Sequence, residues 1–229
     1  MEEYSYKIVL IGETGTGAKT SLINRLYKNE FHKIIMGTTG AYFVNIFIQI
    51  KLGIIKLQLW DTSGQEKFRE INKVFIKGSH CIILGYDITL KNTFDEIQKY
   101  HYNRIKYITG DESLIYLVAN KIDLIKNIEV SDKEAIDYAK EKNIKYFRIS
   151  CSTGEGINEL LEDIAYSLIK KFKKVLRNSD LNLIREITED GTIIKGSNSI
   201  RGIAKNGIEN KRLNINEKIE IILNKYYNY

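Results

Sequence analysis

A three-layer α/β domain is the fold class that this 229-residue sequence predicts. Short, almost continuous apolar runs alternate with amphipathic stretches, which is typical of a parallel sheet that helices cover on both faces. The strand-like runs are residues 7–11, 81–87 and 114–119. Two further apolar stretches, 42–50 and 54–60, are separated only by a short polar and glycine-containing connection and predict an antiparallel hairpin.

Helices are predicted around these strands at roughly 19–28, 67–78, 92–109, 131–142 and 156–174. In the last helix, apolar residues recur at three- and four-residue steps and form one core-facing stripe. The stripe consists of Ile157, Leu160, Leu161, Ile164, Leu168 and Phe172. Ligands in such folds bind beyond the carboxyl ends of the strands. The four motifs described below are all interpreted as loops that follow strands.

The positive charge of the chain is concentrated at its C-terminal end. Residues 1–169 contain 22 basic and 22 acidic residues, and residues 170–229 contain 13 basic and 7 acidic residues. A neutral body gives no support to nucleic-acid binding, so we expect no nucleic-acid partner. We interpret residues 1–174 as one domain and residues 175–229 as a C-terminal extension that is weakly structured or a small add-on.

The composition also indicates a cytoplasmic protein. Cys81 and Cys151 are too few for a disulfide framework and suit a reducing compartment. The N-terminus is acidic before it is apolar, which argues against a secretory signal. No apolar run approaches the length of a membrane span.

The first motif, GETGTGAKTSL at residues 12–22, lies between the first strand and the first helix. Such a loop presents N–H groups to phosphates, the helix N-terminus adds its positive end, and a lysine reaches the terminal phosphates. The usual pattern is G-x4-G-K-[ST], but here Ala18 stands between Gly17 and Lys19. Without a gap, Ala18 would occupy the lysine position. We prefer the gapped interpretation because everything after Lys19 keeps its normal register; an ordinary βα turn is the alternative.

The nucleotide-binding residues predicted in this loop are Gly12, Thr14, Gly15, Thr16, Gly17, Ala18, Lys19, Thr20 and Ser21. The next motif to follow a strand is DTSGQ. There Asp61 can hold Mg²⁺, the amide of Gly64 can meet a γ-phosphate, and Gln65 can orient the attacking water. Asp-Thr-Ser-Gly is also a good turn sequence. A turn alone does not explain four motifs in one order, so we favour phosphate binding.

The motif NKID follows the strand that ends at residue 119. The carboxylate of Asp123 can accept hydrogen bonds from the ring N–H and the exocyclic amine of guanine, a pair of donors that adenine lacks. Asn120 would tie the loops together, and the stem of Lys121 would lie against the base. This preference for guanine disfavours the alternative of an ATPase that shares the phosphate loop.

With these motifs in place, the chain resembles the Ras superfamily of small GTPases and is most similar to the Rab family. The resemblance rests on KLQLWDTSGQEKFREI, TTGAYF, FIKGSH and YDIT and covers about residues 5–172. It implies a P-loop NTPase G domain, with a six-stranded, mixed, mostly parallel sheet and five helices, that binds GTP or GDP with Mg²⁺. Thr38 would be the switch threonine that binds the metal and senses the γ-phosphate.

The resemblance also implies roles for the site residues. Gln65, Lys19 and Thr38 would be catalytic. The metal ligands would be Thr20, Thr38 and Asp61. Near the base, the family's Ser-Ala-Lys is replaced by Ser150, Cys151 and Ser152, so the lysine's packing is lost while the backbone contacts could survive.

Residues 31–43 and 62–78 would be the two switch segments that contact effectors, exchange factors and GTPase-activating proteins. We expect a monomer. Two departures from the family lie here: Ile35 replaces an aromatic residue that covers the nucleotide, and Ser63 replaces an alanine. Residues 34–36 are either an effector patch or an inward-folded segment.

Three alternatives stay open for membrane contact: the protein acts in the cytosol, it reaches a membrane through a partner, or it uses its C-terminal tail. No cysteine follows Cys151, so we expect no prenyl anchor on this polypeptide. The basic run at 170–177 could contact an anionic membrane, although the solvated end of a helix is the simpler interpretation. Two hypotheses remain: a slow GTPase that switches between two states, and a scaffold whose nucleotide binding is impaired by the extra loop residue.

Overall fold

The computed structural model describes residues 2–32, 41–50, 53–62 and 69–172. The predicted C-terminal extension, residues 175–229, lies outside the described residues. The six strands found in the described ranges are β1 Glu2–Ile11, β2 Ala41–Ile50, β3 Gly53–Thr62, β4 Cys81–Asp87, β5 Leu114–Asn120 and β6 Lys145–Arg148.

These strands form one sheet in the order β2-β3-β1-β4-β5-β6. Only the β2–β3 pairing is antiparallel; the other pairings in the sheet are parallel. The predicted hairpin is confirmed, with Ile50 opposite Gly53. Gly53 therefore begins β3 and is not part of the connection, contrary to the predicted boundary. The mixed, mostly parallel sheet is confirmed as well.

The helices are α1 Thr20–Lys28, α2 Arg69–Ile76, α3 Lys91–Glu96, α4 Tyr102–Thr109, α5 Asp132–Glu141 and α6 Ile157–Phe172. A π-helical segment, Ile97–His101, joins α3 to α4 without a break, so together they span the predicted third helix. At its end, the N–H of Tyr102, the first residue of α4, bonds to the carbonyl of Ile97, five residues earlier. A 3₁₀ turn, Ile125–Asn127, follows β5.

Two apolar layers lie on opposite faces of the sheet. Alternate side chains of β1 point to opposite sides, as the period of a strand requires. Ile8 and Leu10 pack in the cluster that includes α1 and α6, whereas Val9 and Ile11 pack in the cluster that includes α3, α4 and α5. The predicted three layers are therefore confirmed. Of the helices in the described ranges, none is both long enough and apolar enough to cross a bilayer.

One predicted placement was wrong. The fourth motif, TTGAYF at residues 38–43, does not follow a strand; its described part begins β2, and α1 is the element before it. Its end still reaches the site edge because β2 runs antiparallel to β3, so that Ala41 lies opposite Thr62. The beginning of β2 thus lies at the same edge as the end of β3.

Candidate functional site

The motif residues meet at the edge formed by the carboxyl ends of the parallel strands. Asp61 lies near the end of β3, in register with Leu10 near the end of β1. Asp87 and Asn120 end β4 and β5 and are opposite each other. Strand register therefore brings together side chains that are distant in sequence, before any loop contributes.

The glycine-rich loop after β1 is closed by its own lysine. The Lys19 ammonium donates to the carbonyl oxygens of Gly12 and Glu13, at 2.7 Å in each case. Helix α1 begins at the next residue, Thr20, whose hydroxyl donates to Asp61 Oδ2 at 2.6 Å. The lysine folds back over the loop and the threonine faces the carboxylate, which is the arrangement expected from the gapped interpretation.

Ala18 is accommodated inside the loop and is fully buried. Its N–H lies 3.4 Å from the hydroxyl oxygen of Thr16, and that hydroxyl donates to the carbonyl of Glu13 at 3.1 Å. The N–H of the added residue thus has a partner within the loop.

The charge of Lys19 is held in an unfavourable environment. The side chain is only 7% exposed, and burial lowers the pKa of Lys19 to about 8, while Asp61 and Glu13 act in the opposite direction. Negative charge that arrives at the loop would favour the protonated form of a buried ammonium. The loop is therefore electrostatically suited to an anion.

Asn120 connects the loop after β1 with the loop after β6. Its amide nitrogen donates to the carbonyl of Thr16 at 2.9 Å, and its amide oxygen accepts the N–H of Cys151 at 3.1 Å. Gly17 leaves the space for this contact, because a β-carbon there would lie 2.8 Å from the Asn120 amide nitrogen. Asn120 thus holds two loops at a fixed separation, as the sequence predicted.

Asp123 is exposed at the same edge and is oriented by Ser150. The buried Ser150 hydroxyl donates to Asp123 Oδ1 at 2.6 Å and accepts the N–H of Thr153 at 3.0 Å. Lys121 has a left-handed backbone, with φ of 67°, and its ammonium pairs with Asp87 Oδ2 at 2.5 Å. The carboxylate of Asp123 is therefore fixed in direction while it remains accessible.

The remaining predicted site residues fall into three groups. Thr38, Gly64 and Gln65 lie outside the described residues. Thr14, Gly15 and Ser152 are exposed, whereas Ser21 and Cys151 are buried. The Cys151 thiol lies 3.5 Å from the carbonyl oxygen of Gly17, which places the residue against the phosphate loop.

Sequence reasoning missed a side chain that holds the loop after β6. Arg25, in α1, donates from Nε to the carbonyl of Cys151 at 2.9 Å and from a terminal nitrogen to the carbonyl of Ser152 at 2.6 Å. These contacts anchor the backbone of the loop that also binds Asn120. A lone arginine on a helix gives no sequence signal for such a role.

A second contact that the sequence did not indicate reaches the phosphate loop from the π-helical segment. His101 Nε2 lies 2.9 Å from Glu13 Oε1, and both side chains are largely buried, at 10% and 15% exposure. A π turn inserts an extra residue into a helical turn, and such segments are frequent at functional sites. Here it ends at the histidine that holds the start of the loop.

An aromatic cluster adjoins the two predicted switch segments. Phe43 and Trp60 are cross-strand neighbours in β2 and β3 with ring centroids 4.8 Å apart, and Phe75 of α2 lies 5.5 Å from Trp60. Phe43 is 45% exposed, although it is a large apolar side chain. Partly exposed aromatic clusters of this kind are common at protein interfaces.

The described part of the chain holds no group of three or more His, Cys, Asp or Glu side chains that could bind a metal by themselves. The Thr20 hydroxyl and the Asp61 carboxylate are nevertheless oxygen donors at hydrogen-bond distance from each other. Mg²⁺ is commonly held by one or two protein oxygens together with substrate phosphates and water. The donor set therefore fits a magnesium ion that a phosphate ligand helps to bind.

The fold and the side chains at its edge define a P-loop nucleotide-binding α/β domain. The sequence model described as the Ras family matches residues 7–170 of the chain. Among curated relatives, Rab-1 of Theileria parva is 37% identical over 187 residues, which cover 80% of this chain and 84% of the relative.

Two further relatives give the same result. Rab-21 of Homo sapiens is 35% identical over 167 residues, which cover 73% of each chain. RabC of Dictyostelium discoideum is 34% identical over 192 residues, which cover 81% of this chain and 95% of the relative. The chain belongs to the Ras family, and it is a Rab-like small GTPase, a class of GTP-hydrolysing enzymes.

Proposed function

We propose that the site binds GTP and GDP with Mg²⁺, hydrolyses GTP slowly, and makes the chain a two-state switch in vesicle trafficking. The observation that carries this proposal is the arrangement of Lys19, Thr20 and Asp61 around a loop that is one residue longer than usual. A site that had lost its ligand would have no need to keep these contacts.

Guanine selection would come from Asp123. Its carboxylate can accept two hydrogen bonds from guanine, and the bond from Ser150 fixes its direction. Asn120, which bonds both to Thr16 and to Cys151, would set the distance between the base-binding loop and the phosphate loop. The stem of Lys121 and the backbone of residues 150–152 would complete the base pocket.

Hydrolysis would depend on positioning and on charge stabilisation. Lys19 and the loop amides would stabilise charge on the phosphates, and Gln65 would orient the attacking water. Thr20, Thr38 and Asp61 would hold Mg²⁺, which neutralises phosphate charge when it is bound.

Turnover by the isolated protein would be slow. Residues 31–43 contain no arginine, so the arginine that accelerates such reactions by about 10³–10⁵ would come from a partner. Switching would then depend on an activating protein that speeds hydrolysis and an exchange factor that releases GDP.

The aromatic cluster of Phe43, Trp60 and Phe75 would take part in effector binding. Phe43 belongs to residues 31–43 and Phe75 to residues 62–78, the two segments whose order the γ-phosphate would control, and Trp60 joins them. Effectors, exchange factors and activating proteins would therefore bind the same surface, which the two switch segments and the aromatic cluster form. We infer a cytoplasmic monomer that reaches membranes through a partner, with weak contact through 170–177.

The first experiment is to purify the protein in Mg²⁺, denature it, and identify any released nucleotide by chromatography. GDP or GTP in near-stoichiometric amount is expected, and chelation of divalent cations should speed its release. A Lys19→Ala variant purified in the same way is the control for nucleotide that is carried through purification without occupying the site, and it should release little nucleotide. An empty site that also fails to bind added guanine nucleotide would rule out the switch and favour a scaffold.

The proposed role of Gln65 has its own test. Gln65→Leu should leave GTP binding intact and lower single-turnover hydrolysis by about tenfold or more, since a positioned group contributes on this scale. Asn92→Leu, which replaces an exposed side-chain amide in α3, is the control and should hydrolyse at the native rate. Native hydrolysis by Gln65→Leu would show that another group orients the water.

A further inference from the structure

Gly85 lies inside the central strand β4, where every residue is buried. Glycine weakens a strand interior and often marks a place where another backbone approaches closely. Gly85 is absent from the set of glycines with positive φ, so backbone conformation does not require it. The space around Gly85 is the remaining reason for the absence of a side chain.

That space is filled by the extra residue of the phosphate loop. A β-carbon on Gly85 would lie less than 3.0 Å from the β-carbon of Ala18, a separation that real β-carbons essentially never show. The same atom would lie 3.4 Å from both Cα and the carbonyl oxygen of Ala18, which is ordinary van der Waals contact. The conflict is thus between two methyl-sized groups.

Gly85 also contacts the beginning of the loop. A β-carbon on Gly12 would lie less than 3.0 Å from the Gly85 carbonyl oxygen. Gly85 therefore lies against both ends of the phosphate loop, close to Gly12 and to Ala18.

Displacement of Ala18 would be transmitted to the residues that follow it. Lys19 is buried and bonded to the carbonyls of Gly12 and Glu13, and Thr20 is bonded to Asp61. These bonds hold the end of the loop, so we expect an outward shift of Ala18 to strain them. Overpacking in such a place forces backbone shifts.

The geometry points to Gly85 as a positioning residue: the absence of its side chain makes room for Ala18, so that a loop with one extra residue keeps Lys19 and Thr20 in place. This inference rests on the proposed nucleotide binding for its consequence in affinity. Its structural content, the steric coupling of positions 18 and 85, does not depend on a ligand.

The test is a double-mutant cycle that moves one methyl group between the two positions. Gly85→Ala alone should weaken GDP binding by about tenfold or more, because overpacking of a fixed core is costly. In an Ala18→Gly background, which removes the opposing methyl, Gly85→Ala should change affinity by about twofold or less. Ala165→Val, which overpacks α6 away from the loop, is the control and should not change affinity.

Two results would overturn the inference: Gly85→Ala that binds GDP like the native protein, or a double variant as impaired as Gly85→Ala. The midpoint of thermal unfolding of the nucleotide-free proteins is the second readout. If the native protein binds no guanine nucleotide, the proposed function fails. The inference then still requires that Gly85→Ala lowers the unfolding midpoint by more in the native background than in the Ala18→Gly background. If Gly85→Ala does not fold, a folded double variant supports the coupling and an unfolded one refutes it.

Discussion

Single side chains at this site act mainly by holding other groups. Ser150 is the clearest case, because its buried hydroxyl donates to Asp123 and accepts from the Thr153 backbone. The hydroxyl itself need not touch a ligand to matter. It fixes the direction of a carboxylate that is otherwise exposed to water.

We therefore predict that Ser150→Ala lowers affinity for GDP by about tenfold, the usual cost of one hydrogen bond to a charged group. Ser167→Ala is the control. It removes an α6 hydroxyl that contacts Lys145 of β6 and Asp163 of α6, and it should leave affinity for GDP unchanged. Calorimetry of nucleotide-free protein with GDP measures both. Equal affinities for the two variants would mean that Asp123 is oriented by other contacts.

At this scale the sequence predicted the motif residues but not those that support them. Lys19, Thr20 and Asn120 stand in local patterns with known spacing, so their meeting could be foreseen. Arg25 and His101 contact loops 126 and 88 residues away in sequence. No local pattern records such contacts, because they depend on how helices lie over the sheet.

Among the elements, the π-helical segment has the most direct link to the site. It ends at His101, whose ring contacts Glu13 at the start of the phosphate loop. The pair is largely buried, so water screens it little. An element on the flank of the sheet thus contacts the side chain of Glu13, whose backbone carbonyl accepts from Lys19.

We predict that His101→Leu speeds GDP release by about tenfold, since a charge-assisted hydrogen bond to the loop is lost. Tyr107→Leu is the control, because Tyr107 lies on the continuing helix α4 and is 85% exposed. Stopped-flow release of a fluorescent GDP analogue gives the rate. Release from His101→Leu at the native rate would show that the contact does not restrain the loop.

The elements themselves were predicted with uneven success. The bounds of β4 agree with the apolar run because all its residues are buried and the run has no polar interruption. Strand β6, Lys145–Arg148, is half-exposed and has no apolar run, so only the family resemblance implied a sixth strand. The π turn was invisible, since a change of hydrogen-bond partner by one residue leaves no mark in composition.

At the scale of the whole molecule, the candidate site and the end of α6 lie at opposite edges of the sheet. At the edge away from the site, the His80 ring packs against Tyr6 and Phe172, with ring centroids 5.4 and 5.0 Å apart. His80 Nδ1 accepts the backbone N–H of Lys7 at 3.0 Å, which requires that nitrogen to be unprotonated.

This cluster makes stability depend on pH. Burial and the neighbouring Lys7 ammonium lower the pKa of His80 below its usual 6.5. The unfolded chain therefore binds more protons than the folded protein in the window below that value, so acidification favours unfolding. We predict that the thermal midpoint falls between about pH 7 and pH 5.5, with a shallower slope for His80→Asn, which keeps an acceptor near the Lys7 N–H. If the midpoints of the native protein and of His80→Asn fall with pH at the same slope, groups other than His80 cause the effect.

The match between Gly85 and Ala18 also limits how a phosphate loop of this length can be gained or transferred. By this inference, a G domain with a side chain at position 85 has no room for the longer loop. A G domain that has glycine at this position and a loop of the usual length loses only some packing. We therefore expect a glycine at position 85 to be a requirement for the longer loop. Grafting residues 12–20 onto another G domain should succeed only when the strand beneath supplies a glycine.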